Sequence, residues 1–378
     1  MDQHGKLEEE EVLEGIFAVA KPAHVSSADV LQKLQITFAS SNLFAPLLRS
    51  QPKRTSKGED QVFRLGHGGT LDPLAAGVLI VGIGRGTKQL NKYLACTKTY
   101  DTVVLFGAST DSYDCTGAVT ERVDCKHVTR ELVEAALGKF RGTIMQTPPI
   151  YSALKINGIK ACEYVREGKE LPRQLESREM HVHECTLLEW YEPGQHDIPY
   201  PNENIPASAP AVLSRLTVSS GFYVRSFAHD LGIACGSRSH MTSLRRTRQD
   251  IFTAVEKPLE TTDLVSALTF ADLDAGEQVW GAKLGPQLVS WVKANPLRTG
   301  HVDGRNRETK DSLETEKGSK PRQRFRGEWV AETKEERIKQ QGGKYKGKWN
   351  RRKQEPNSMT TISSSSADVA NLAPSTNP

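Results

Sequence analysis

Asp72 has the setting that most invites a chemical reading. It lies in RLGHGGTLDPLAAGVL, where His67, three glycines and the aspartate come just before Pro73. Glycines let a backbone come close to a ligand, so an aspartate on such a turn can present its carboxylate to a substrate. A plainer reading competes, in which Asp72 caps the turn that Pro73 begins, because Asp at an N-cap followed by Pro at the first position is common. The residues alone leave both open, and the two can hold together. The neighbouring GVLIVGIGRGTK invites a phosphate-binding reading but lacks the register. Thr87 rather than glycine precedes Lys88, no Ser or Thr follows it, and the third glycine of a GxGxxG pattern is missing at Thr87. A turn built from permissive glycines explains it better. In HVHEC, His181, His183 and Cys185 alternate, which would place them on one face of a strand, yet the paired spacing of zinc sites is absent and no metal is expected. The six cysteines contain no CxxC pair, so reduced thiols are expected.

Regular elements must hold these groups. GIFAVAKP reads as a strand ending at Pro22, and Ser26 with Asp29 forms a capping-box start for a helix carrying Val30, Leu31, Leu34 and Phe38. GTLDPLAAGVLIVGIG reads as a turn opening into a buried strand, and TYDTVVLFG puts Tyr100, Thr102, Val104 and Phe106 on one face. Thr129 caps an amphipathic helix with Leu132, Val133, Ala136, Leu137 and Phe140, stopped at Gly142. RLTVSSGFYVRSFAHDLGIACG reads as strand, turn, strand and a short helix closed by Gly236. Strands joined by local turns, with separate helices, imply an α+β fold.

The chain has 378 residues, 37% hydrophobic and 25% charged, with no apolar run approaching the ~20 residues of a membrane span. No membrane partner is expected. Residues 1–12 are an acidic leader, unlike a secretory or mitochondrial presequence, so an intracellular site is expected, in nucleus or cytoplasm with the mitochondrion as a further candidate. Residues 13–297 hold the folding patterns, with insertions at 40–61 and at 191–210, the second proline-rich and read as a surface loop. The net charge of +4 is uneven: residues 298–356 carry 18 Lys+Arg against 10 Asp+Glu, a surplus of 8, which leaves −4 elsewhere. Residues 298–378 read as a basic, then Ser/Thr-rich disordered tail whose interleaved aromatics suit sequence-tolerant RNA binding.

Four segments then combine. GHGGTLDPLAAGVL, KTYDTVVLFGASTDSYDCTG, QTPPIYSALKINGIKACEYVREG, and SSGFYVRSFAHDLG with a later SLRRT occur in this order across residues 13–252. Together they resemble the TruB family of tRNA pseudouridine synthases, in its eukaryotic stand-alone branch. The resemblance implies the pseudouridine synthase fold, a mixed and largely antiparallel sheet with flanking helices around a central catalytic cleft. It also implies the substrate, the uridine at position 55 in the T loop of tRNA. Matched by motif, Asp72 is implied as the catalytic aspartate, Tyr100 as the tyrosine that stacks on the base, and Arg225 as the arginine paired with the aspartate. Tyr223 and Leu244 are implied to line the pocket, His67 to help hold the flipped nucleotide, and Lys21 to make a structural or RNA contact. Two departures stand out: GFYVR replaces the usual GTxIR or GTYIR, which puts Phe222 beside Tyr223, and the usual C-terminal RNA-binding domain is not recognisable.

The implied reaction breaks N1–C1′, turns the base and joins C5 to C1′, with no oxidation or net hydrolysis, so it requires no cofactor. It needs a carboxylate near the anomeric carbon, as retaining glycosidases do. Arg225 would keep Asp72 charged and oriented. Whether the aspartate adds covalently or assists proton removal stays open. The base must be unstacked, at about a few kcal/mol, and Tyr100 offers both a stacking face and a hydroxyl to take the C5 proton. Lys53, Arg54, Lys57, Arg238, Arg245, Arg246 and Arg248 are candidates to neutralise phosphates. A monomer that needs no guide RNA is expected, with other RNAs bearing T-loop-like hairpins, messenger RNA included, as further substrates. The alternatives are a tRNA-binding or folding chaperone with secondary catalysis, a glycosidase-like hydrolase, for which no motif supplies a second acid near Asp72, and a guide-dependent synthase.

Overall fold

The computed structural model describes residues 11–50, 54–56, 59–61, 63–203, 207–254 and 264–297. The acidic leader (apart from residues 11 and 12), the basic tail at 298–378, Lys53, Lys57 and the Arg54 side chain lie outside the described residues.

Alternating β-branched and apolar residues build a ten-stranded mixed sheet. Its main path runs Gly15–Lys21, Ala76–Ile83, Ser239–Gln249, Lys98–Phe106, Ala211–Val218, Arg178–Tyr191 and Gly142–Gln146. Neighbours on this path are antiparallel except Ala76–Ile83 and Ser239–Gln249, which pair in parallel through Arg245 opposite Ala76 and Arg246 opposite Gly77. Gly77 is required there: its φ is +106°, and a Cβ would come 2.1 Å from the Arg246 carbonyl oxygen. This close approach brings the Asp72 turn, just before one strand, beside the basic end of the other.

Helices cover the sheet with separate cores. Val224–Ala234 and Arg130–Gly138 bury Phe227, Leu231, Val133 and Leu137 with Val104, Phe106 and Val212. Ser27–Ala39 and Glu277–Ala294 bury Leu34, Phe38, Trp280 and Leu284 with Phe17 and Val81. The capping box of Ser26 and Asp29 closes in both directions, at 3.1 and 3.0 Å. Phe44, inside the 40–61 stretch, is fully buried, 4.5 Å from the Phe38 ring and stacked on Trp280 at 6.0 Å. The 191–210 stretch is likewise tied down: the Tyr200 hydroxyl donates to the Phe106 carbonyl at 3.0 Å, and Ala207 and Ala209 are buried.

Three local expectations change. The helix capped by Thr129 ends at Gly138, not Gly142; Phe140 lies past its end and packs edge-on against Phe227 at 5.1 Å, so its apolarity serves a tertiary contact. No strand precedes the Val224–Ala234 helix: the Ala211–Val218 strand turns at Gly221, φ +85°, and enters the helix at once. A bulge between Val182 and Glu184 breaks the alternation in HVHEC, leaving His181 and His183 exposed while Cys185 is fully buried on the other side. Among the described residues no group of three or more His, Cys, Asp or Glu could hold a metal ion, and all six cysteines are free thiols. No described helix is long and apolar enough to cross a membrane.

Candidate active site

Asp72 and Pro73 form a β-turn, with the Asp72 carbonyl accepting from the Ala75 N–H at 3.0 Å. The turn that Pro73 begins is present, but among the described residues no backbone N–H donates to the Asp72 carboxylate, so it does not cap that turn. It turns instead to Arg225, whose Nε lies 2.8 Å from Asp72 Oδ2. The guanidinium is 7% exposed, whereas the aspartate side chain keeps 37% of its surface open. Arg225 also reaches Asp114 Oδ2 at 3.6 Å and donates to the Ser112 carbonyl at 3.1 Å and the Tyr151 carbonyl at 2.8 Å. One planar fork thus joins the Asp72 turn to two loops that are far apart in sequence.

Arg225 is the second residue of its helix, and the entry to that helix is fastened by a buried amide. Gln146 accepts from the Tyr223 N–H at 2.8 Å and donates to the Tyr223 carbonyl at 3.0 Å. Lys21, 1% exposed, works from beneath. Its ammonium donates to the carbonyls of Pro22 at 2.9 Å, Val25 at 2.5 Å and Pro73 at 3.1 Å, which uses all three protons. Burial pulls its pKa down to about 8, while the Asp72 charge opposes the shift. Of the two roles expected of Lys21, the structural one therefore fits and an RNA contact does not.

The Asp72–Arg225 pair stands on the wall of a cleft of about 350 Å³. Tyr100, Tyr223, Leu244 and Phe222 line the same cleft, together with Lys98, Arg246 and the Gly69–Leu71 backbone. Five of the seven residues singled out from the sequence therefore meet: Asp72, Tyr100, Arg225, Tyr223 and Leu244. Tyr100 and Leu244 are both 8% exposed and also belong to the main core. Phe222, the departure from the usual motif, packs half-buried against that core beside Tyr223. His67 is not part of the cleft lining. It pairs with Val81 across the sheet, and its buried Nδ1 has no partner among the described residues. Burial, and then the charge of Arg246, lower its pKa, which favours the neutral imidazole.

Sequence reasoning missed Asp114, which is 5% exposed. Its Oδ1 accepts from the Ser112 hydroxyl at 2.8 Å, the Thr116 N–H at 2.9 Å and the Thr116 hydroxyl at 2.5 Å. A second acid thus does stand beside Asp72, contrary to expectation. These donors and the nearby Arg225 hold the Asp114 side chain in place between the Ser112 and Thr116 loop and the Asp72 turn. The available signal was the turn-rich STDSYD run, whose two aspartates sit among hydroxyl side chains. On this side a second cleft, of about 580 Å³, is lined by Asp111, Asp114, Thr116, Tyr151 and Arg166 as well as the Asp72–Arg225 pair. Among the basic candidates, Arg238 pairs with Glu121 at 2.7 Å, Arg245 donates to the Ala254 carbonyl at 3.0 Å, Arg248 donates to the Asp250 carbonyl at 2.8 Å, and Arg246 is buried.

Comparison with known proteins bears on the family of the chain. A family model described as "TruB family pseudouridylate synthase (N terminal domain)" matches residues 54–224. A protein of Schizosaccharomyces pombe named tRNA pseudouridine synthase 4 is 32% identical over 63% of this chain and 79% of its own length. Its namesake in Saccharomyces cerevisiae is 30% identical over 72% of this chain and 84% of its own. A solved structure titled "Crystal Structure of a Cbf5-Nop10-Gar1 Complex" covers 69% of this chain and 54% of that chain, at 24% identity and a TM-score of 0.43. With two relatives aligned over most of their length and a cleft assembled from the segments that first suggested the likeness, the chain belongs to the TruB family of pseudouridylate synthases.

Proposed function

We propose that this protein isomerises uridine to pseudouridine in tRNA, at position 55 of the T loop, and that Asp72 is the catalytic carboxylate. The observation that carries the reading is the Asp72–Arg225 pair at 2.8 Å on the wall of a cleft that also holds Tyr100. A carboxylate oriented by a buried guanidinium, yet still partly open, suits attack at C1′ or assistance to proton removal from the sugar. The reaction balances without a co-reactant: the N1–C1′ bond breaks, C5–C1′ forms, C5 loses a proton and N1 gains one. Tyr100 supplies a face for the unstacked base and a hydroxyl to accept the C5 proton. Tyr223 and Leu244 complete the apolar lining, and Lys21 holds the Pro73 carbonyl and with it the catalytic turn. This assigns Lys21 to positioning and leaves His67 outside the pocket.

The relatives' names support tRNA as the RNA, and an intracellular site of action follows from that substrate. Incubating the purified chain with a T-arm transcript and no other RNA is the test. Formation of pseudouridine is expected. Release of free uracil would indicate hydrolysis, binding without conversion would indicate a chaperone, and conversion only after adding a guide RNA would indicate a guided enzyme.

A further inference from the structure

We propose that Arg246 is a phosphate-anchoring residue of the cleft, receiving an anionic oxygen of the RNA backbone next to the target nucleotide. The proposal rests on the reading of the cleft as an RNA-uridine site. Arg246 is 1% exposed and lines the cleft, yet no carboxylate lies within ion-pair distance among the described residues. Its partners among the described residues are two carbonyls on either side of the Asp72 turn: Nε donates to Val78 at 2.7 Å and Nη2 to Gly69 at 3.0 Å. Among the described residues Nη1 has no acceptor, and Arg246 lines the cleft, so this nitrogen is the donor left for a ligand there. Gly69, at φ +134°, stands beside it: a Cβ at that position would come 3.6 Å from Nη1.

The charge around this nitrogen favours an anion over a neutral carbonyl of the base. Arg225 has Asp72 and Asp114 beside it, and Arg246 has no counterpart. Lys98 also lines the cleft, but its ammonium is spent on the carbonyls of Tyr93, Leu94 and Cys96 at 3.3, 2.7 and 2.6 Å. It adds positive potential without a free donor. Burial first, and the Arg246 charge among the causes after it, lower the pKa of Lys98, Lys21 and His67, so these groups already repel one another. A buried guanidinium without a counter-ion is costly. A phosphodiester oxygen would relieve that cost and the repulsion together, and a charge-assisted hydrogen bond from Nη1 is the contact it would make. The loop is ready for it: Gln249 holds the Gly68 carbonyl at 2.7 Å, so the donor array needs no rearrangement.

The test neutralises the ligand and the residue separately. T-arm RNA is made with a methylphosphonate at each phosphate flanking the target uridine in turn, and binding is measured for the wild type and for Arg246→Gln. The wild type is expected to lose about tenfold or more in affinity at one of the two positions. Arg246→Gln should lose a similar factor on unmodified RNA and less than about twofold more on the methylphosphonate, with its log–log salt slope shallower by roughly 0.7. An equal loss in both proteins, or wild-type indifference at both phosphates, overturns the proposal. Because Arg246 also holds two carbonyls, a variant that does not fold is replaced by Arg246→Lys, which retains the charge but not the fork; wild-type indifference remains decisive alone. Conversion of unmodified RNA by the wild type reports separately on the uridine reading.

Discussion

Replacing Arg225 with methionine keeps most of the side-chain volume and removes every polar contact of the fork. Four acceptors lose a partner: Asp72, Asp114 and the carbonyls of Ser112 and Tyr151. Breaking a buried ion pair from one side usually costs ~3–5 kcal/mol. Asp72 can return to water, since its side chain is 37% exposed, but Asp114 is 5% exposed and its Oδ2 has no hydrogen-bond partner among the described residues, so the lower end of that range, about 3 kcal/mol, is expected. For a domain of this size that corresponds to a fall in Tm of roughly 6–12 °C. Catalysis should suffer more than folding. A misplacement of about 1 Å costs on the order of 10²-fold in rate, so single-turnover conversion at a temperature where the variant is fully folded should fall by at least that factor, with little change in RNA affinity. Arg225→Lys should regain part of the stability and little of the rate, because an ammonium cannot serve both carbonyls and Asp72 in one plane. Calorimetry with rapid-quench assays on a T-arm RNA reads both. A Tm within about 2 °C of wild type, or a rate within about threefold, would refute the reasoning.

Further expectations follow from other parts of the molecule. Gly77→Ala should prevent soluble folding or lower Tm severely, because a Cβ there would meet the Arg246 carbonyl at 2.1 Å; normal melting would show that the parallel pairing is not so close. Burial raises the Asp230 pKa from 3.8 to about 6, so the native state resists its ionisation. Both states are protonated below the unfolded pKa, the penalty grows between 3.8 and about 6, and it is complete above, at roughly 3 kcal/mol. Asp230→Asn should accordingly stabilise the protein at pH 7 and lose that advantage near pH 4, which thermal melts across pH would show; a gain that does not depend on pH would contradict it. Removing residues 297–378 should weaken RNA binding and flatten its salt dependence while leaving the chemistry intact, and an unchanged slope in a binding titration would count against a role for the basic tail.

What the sequence made legible was local. Ser26 and Asp29 close their capping box within four residues, and the alternation in Lys98–Phe106 depends only on strand period, so both could be read without knowing what packs nearby. The misread places are those where a distant contact decides. Phe-Tyr-Val at 222–224 has β-forming residues, yet the Gln146 amide, 77 positions away, fixes Tyr223 at the entry to a helix. Phe140 completes an apolar helical stripe on paper but belongs to the contact with Phe227. A bulge, invisible in the composition of HVHEC, divides its two histidines from its cysteine. At the site, the pairing of Asp72 with Arg225 could be anticipated only through motif order, since 153 residues separate them. Asp114 escaped notice because its role depends on reaching the same guanidinium from a third loop, and the choice between a structural and an RNA contact for Lys21 depended on the three carbonyls that enclose it.

The most direct measurement compares wild type and Asp72→Asn on one T-arm RNA, following affinity and single-turnover conversion together. Asparagine preserves the size of the side chain and removes its charge. The account predicts that the variant still binds the RNA, within a few-fold of wild type, and forms no detectable pseudouridine. Pseudouridine formed by the variant at a rate near that of the wild type would contradict it.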